Sequence, residues 1–74
     1  MKSENFSGYG LETTCRLQND GRYSVEVIIS KVFDGMVHRN HFIDSKISLA
    51  LPEEAEKESI NFGKNLVKRN IVGF

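Results

Sequence analysis

Residues 21–36 run Gly21-Arg22-Tyr23-Ser24-Val25-Glu26-Val27-Ile28-Ile29-Ser30-Lys31-Val32-Phe33-Asp34-Gly35-Met36, and their order decides the fold. Tyr23, Val25, Val27 and Ile29 alternate with Arg22, Ser24 and Glu26. A period of two is that of a strand with one buried face. Ile28 and Val32 break the alternation, so the second face is not wholly polar. Asn19-Asp20-Gly21 precedes this strand and Asp34-Gly35 follows it. Glycine adopts positive φ freely, and Asn or Asp adopts it more readily than most residues, so both segments read as hairpin turns. Outward on the N-terminal side, Tyr9, Leu11, Thr13, Cys15 and Leu17 share one face against Gly10, Glu12, Thr14, Arg16 and Gln18. On the C-terminal side, residues 36–43 form a weaker third strand. Two consecutive hairpins predict an antiparallel three-stranded meander.

Residues 44–51 read as a connector that leads into a helix. Pro52 suits a first helical turn, where its missing N–H costs nothing. Glu53, Glu54 and Glu56 complement the positive end of the helix dipole, and Lys64, Lys68 and Arg69 complement its negative end. A 3.6-residue wheel gathers Ala55, Ser59, Phe62, Gly63, Leu66 and Val67 into one stripe, with Ile60 at its edge. Phe62 and Leu66 are the expected anchors, and the small Ser59 and Gly63 allow close approach to the sheet. A helix of about 18 residues is roughly 27 Å long and covers one face of three strands. The other face stays open, as an antiparallel sheet tolerates. The expected fold is therefore α+β, a β-β-β-α meander with one C-terminal helix packed on one sheet face. Residues 1–7 read as a disordered tail and residues 8–74 as a single domain.

The chain has 74 residues, of which 39% are hydrophobic and 27% charged. That length supports one small core. The composition is too apolar for disorder and too polar for a membrane span. Ten basic and ten acidic side chains leave no net charge. Non-specific binding to nucleic acid draws on a cationic excess that releases counterions, and this chain has none on average. A single cysteine excludes an internal disulfide and a multi-cysteine zinc cluster. The N-terminus carries no apolar leader, and the longest nearly apolar runs, 25–29 and 47–51, are too short to span a bilayer. A cytoplasmic location without a membrane partner is the expectation. Zero net charge leaves self-association electrostatically unopposed, and a core this small gains from extra buried surface, so a homodimer is expected.

Few residues suggest chemistry. His38 and His41 lie three apart on a strand, which sends them to opposite faces and away from a shared metal. They read as surface imidazoles, with Asp34 and Asp44 flanking them and Asp34 serving the turn. Cys15 falls on the apolar face and reads as a small hydrophobe. The chain has no glycine-rich phosphate loop and no paired nucleophile and base. No enzyme activity, cofactor or metal is expected. Glu53, Glu54, Glu56 and Glu58 repel phosphate at the place where a double-stranded RNA-binding domain needs cations. Tyr9, Tyr23 and Phe33 share the register of the buried face, so the open face lacks a stacking platform. One helix cannot make a helix-turn-helix. Arg16, Arg22, Lys31 and Arg39 remain as candidate nucleic-acid contacts. Ile28, Val32, Ile71, Val72 and Phe74 are the candidate interface, for a second copy or an unknown protein partner.

Several short segments follow one another in a familiar order. They are Gly8-Tyr9-Gly10, Gly21-Arg22-Tyr23, Asp34-Gly35, His41-Phe42-Ile43-Asp44, Glu53-Glu54-Ala55 with Ser59, and Gly73 with Phe74. In this order, over residues 8–74, the chain resembles a family of small bacterial proteins filed under the name HlyU. That family is described as transcriptional activators and has related short domains of unknown function. The resemblance implies a three-stranded antiparallel sheet with one helix, a cytoplasmic bacterial protein and a regulatory role. It supplies no catalytic residues. Leu51 stands where the family pattern has a hydroxyl cap, and Ile71-Val72 where it has charge, which points to packing or dimer contact for the tail.

Overall fold

The computed structural model describes residues 2–74. Its elements are β1 (Ser3–Phe6), β2 (Tyr9–Thr13), β3 (Tyr23–Phe33), β4 (Met36–Leu49) and α1 (Pro52–Lys68). The strands form one antiparallel sheet in the order β1-β2-β3-β4, with α1 against one face. The α+β class, the meander and the C-terminal helix are as expected, but the sheet has four strands, not three.

The added strand is β1, which lies in the segment expected to be a disordered tail. It pairs with β2 from Ser3↔Glu12 to Phe6↔Tyr9. Ser7 (φ 50°) and Gly8 (φ 82°) make the two-residue turn between them. Two consecutive positive φ values match the twist of a tight hairpin. Lys2 and Thr13 exchange backbone and hydroxyl hydrogen bonds at the open end. Phe6 packs on the core, and Lys64 Nζ lies 2.6 Å from Glu4 Oε2, tying α1 to the new strand. Ser-Glu-Asn-Phe has no apolar alternation to announce it. The turn and the neighbouring ladder supply what the residues themselves lack.

Two other boundaries move. The ladder of β2 stops at Thr13, and the pattern that placed Leu17 on the buried face fails there, since Leu17 is 64% exposed. Side-chain hydroxyls open the ladder over residues 14–16. The Arg16 N–H donates to Ser24 Oγ (2.9 Å), and the Glu26 N–H donates to Ser59 Oγ of α1 (3.0 Å). In the segment 44–51, expected as a connector, β4 continues to Leu49. Val25 pairs with Asp44, but Ser24 pairs with Ser48, so a bulge over residues 45–47 separates two paired stretches. A bulge carries unpaired residues without ending the strand.

The core joins Leu11, Val27, Ile29, Ile60 and Val72, with Phe6, Tyr9, Phe42, Phe62, Leu66 and Val67 packed around it. Ile60, placed at the stripe's edge by the wheel, is buried, whereas Phe62 and Leu66 are only partly so. The sheet's twist rotates the contact toward Ala55, Ser59, Ile60 and Gly63. Gly63 makes the close approach possible. A Cβ there would lie 3.2 Å from Val27 Cγ2 and 3.3 Å from Leu11 Cδ2. α1 starts without a side-chain cap at Leu51, with Pro52 in its first turn and Glu53 and Glu54 at the dipole's positive end.

The C-terminal residues fold back onto the sheet. The Ile71 N–H donates to Leu66 O (2.9 Å), and Asn40 Nδ2 donates to Val72 O (2.8 Å). Val72 is buried in the core, which removes it from the candidate interface. The Phe74 ring stacks beside Tyr9 and meets Phe33 and His38 edge-on. The tail is thus anchored by Val72 alone, while Ile71 (47%) and Phe74 (43%) stay exposed.

Candidate functional site

Strand register assigns every side chain to a face. Val25, Val27 and Ile29 are buried toward α1 with Leu11 and Thr13, and their β4 partners Phe42 and Asn40 are half-buried on the same side. Alternation then sends Glu12, Glu26, Ile28, Ser30, Val32, Val37, Arg39, His41 and Ile43 to the side away from α1. This side holds a polar cluster around Glu26 and apolar side chains at Ile28, Val32, Val37 and Ile43.

Glu26 is the centre of the cluster. Its residue is 1% exposed although it lies on the side without a helix. Oε2 accepts from Arg16 Nε (2.9 Å) and from the Ser24 hydroxyl, and Oε1 pairs with His41 Nε2 (3.0 Å). Burial works to raise the carboxyl's pKa. Hydrogen bonds from Ser24, Arg16 and His41, with the Arg16 charge, outweigh it and hold the group below its ordinary value. His41 Nε2 also lies 3.2 Å from Thr14 Oγ1. Thr14, His41 and Glu26 nonetheless do not form a nucleophile–base–acid relay. A relay uses both ring nitrogens of the histidine, and here both partners meet the same one.

On the helix side of the opened ladder, Ser59 joins three elements. Its hydroxyl donates to Ala55 O (2.7 Å) and accepts the Glu26 N–H. With its one hydrogen committed, it can only accept from Cys15, whose Sγ is 3.1 Å away. Cys15 is thereby held as a donating thiol at the edge of a cleft of about 400 Å³ that Thr13, Tyr23 and Pro52 also line. Ser59→Ala leaves the buried Glu26 N–H without an acceptor, and a loss of ~1–3 kcal/mol is expected in urea unfolding. A midpoint equal to that of the unsubstituted chain contradicts this reading.

The four candidate nucleic-acid cations are not brought together. Arg16 lies on Glu26, and Arg22 binds Ser48 through its hydroxyl (2.9 Å) and carbonyl (2.7 Å). Lys31 sits over the Tyr9 ring, 4.4 Å from its centroid and on the helix side, and Arg39 is on the opposite side. Of the interface candidates, Ile28 and Val32 share the side away from α1, and Ile71 and Phe74 lie with the tail. His38 and His41 do fall on opposite faces, His38 stacked at 3.9 Å on Phe33 and His41 on Glu26. Among the described residues, no group of three or more His, Cys, Asp or Glu side chains could hold a metal ion. No helix among them is long and apolar enough to cross a membrane. No protein-family model, curated protein or solved structure matches the chain.

Sequence reading missed the Glu26 cluster because alternation alone assigns Glu26 to solvent. A signal was available. The hairpin about residues 19–21 pairs Arg16 with Ser24, and parity puts both on the Glu26 side. Val37 and Ile43 also escaped notice, because they lie in a strand whose alternation mixes apolar and charged residues on both faces.

Proposed function

We propose that this chain is a non-enzymatic interaction module that associates with a second copy of itself through exposed apolar side chains of β4, the last strand of the sheet. The observation that carries this reading is a set of exposed β-branched side chains there. Val37 is 58% and Ile43 50% exposed, both on the side away from α1. A core of this size supplies only ~3–5 kcal/mol, so covering such surface adds a large fraction of the total. Zero net charge lets copies approach without long-range repulsion.

Sedimentation equilibrium from micromolar to millimolar concentration tests the reading. A reversible dimer is expected, weakened at least tenfold by Val37→Glu and by Ile43→Lys, both at exposed positions. A monomer over the whole range sinks it.

A further inference from the structure

We infer that the second copy joins edge to edge along β4, in an antiparallel pairing centred on Asn40 that continues the sheet. The inference rests on the self-association proposed above and gives it a geometry.

The backbone decides which groups of β4 are free. The Thr14 N–H donates to Glu26 O (3.2 Å), and the Ser24 N–H donates to Arg16 O (2.9 Å). Even-numbered residues of β3 therefore direct their backbone groups toward β2. Antiparallel ladders alternate, so the odd-numbered ones turn toward β4. Their partners there are Met36, His38, Asn40, Phe42 and Asp44. The N–H and C=O groups of Val37, Arg39, His41 and Ile43 consequently point outward. β4 is the last strand of the sheet, and no described strand pairs with that edge.

Such an edge is a template for another strand unless charge, proline or a bulge blunts it. The bulge over residues 45–47 and the turn at Asp34-Gly35 bound a regular stretch from Met36 to Asp44. Asn40 lies at its middle. Twofold pairing about Asn40 sets Val37 against Ile43 of the second copy and Arg39 against its His41. Every outward N–H and C=O of the four residues then finds a partner in both copies. The exposed Val37 and Ile43 become cross-strand apolar pairs, the unit of side-chain stabilisation in a sheet. Moving the centre to His41 opposes the two imidazoles and leaves Val37 facing the bulge, and moving it to Arg39 opposes the two guanidinium groups. The tail leaves this edge clear, since it lies across the helix side from Tyr9 to His38.

Mixing two variants tests the register. Val37→Glu and Ile43→Lys each bring a charge against an apolar side chain in their own dimers. In the mixed dimer, the carboxylate introduced at position 37 of one copy meets the ammonium introduced at position 43 of the other. The second contact stays Ile43 against Val37. Sedimentation of the mixture is expected to show a heterodimer at least tenfold tighter than either homodimer. Val32→Glu, one strand in from the edge, is expected to change association less than threefold. Amide exchange at Val37, Arg39, His41 and Ile43 is expected to slow as concentration rises. Edge pairing is overturned, with self-association left standing, if dimers form but the mixture gains nothing. It is equally overturned if Val32→Glu disrupts dimers as strongly as Val37→Glu while those four amides exchange freely. A chain that stays monomeric overturns both readings.

Discussion

Leu11→Ala is expected to cost ~2–5 kcal/mol, enough to leave much of a domain this small unfolded at room temperature. Leu11 is buried in the core cluster and faces the Gly63 gap, where α1 comes closest to the sheet. Deleting its isopropyl group opens a cavity that the backbone cannot collapse to fill, because β2 is held on both sides by ladder bonds. Leu17→Ala, on the same alternating face of the sequence, is expected to change stability by less than ~0.5 kcal/mol. Urea unfolding of the two variants is the comparison. Equal losses contradict the end of the buried face at Thr13.

Glu26→Gln has the next largest expected effect, and its size depends on pH. Ser24 and Arg16 donate to the native carboxylate, and His41 Nε2 meets its other oxygen. A glutamine keeps the shape but brings an amide N–H₂ group toward donors in a buried place. A loss of ~1–3 kcal/mol is expected at neutral pH. The carboxyl titrates below its ordinary value of 4.5 in the native chain. A group depressed in this way stabilises the fold fully above its unfolded value. The contribution disappears as pH falls through the lower native value. Urea midpoints from about pH 7 to about pH 2 are therefore expected to fall more steeply for the unsubstituted chain than for Glu26→Gln. The two curves should approach each other at the acid end. Parallel curves argue that the cluster contributes nothing to the acid limb.

The buried carboxylate also explains why one side of the sheet needs no helix. Arg16 and His41 close over Glu26 at the end near the bulge, so charge is buried there by hydrogen bonding rather than by apolar cover. The apolar side chains at the other end, Val32 and Val37, have no such cover within the chain. The side away from α1 therefore buries a carboxylate under Arg16 and His41 while Val32, Val37 and Ile43 stay exposed.

The amino-acid sequence alone specified the class, the two hairpin turns about residues 19–21 and at Asp34-Gly35, and the faces of Val25, Val27 and Ile29. It also located the helix, from Pro52 and the acidic first turn. Those features are local: a glycine at positive φ, a period of two and a proline at a helix start act over a few residues. The features that depend on tertiary contacts are long-range. Ser3–Phe6 became a strand because β2 offered it a ladder. Thr14–Arg16 keep only half of their ladder bonds because hydroxyls of Ser24 and Ser59 took the N–H groups of Arg16 and Glu26. Val72 became core because Asn40, 32 residues earlier, holds its carbonyl. The symmetry of the free β4 edge about Asn40 appears only once the register is set, because pairing, not residue type, decides which backbone groups remain outside.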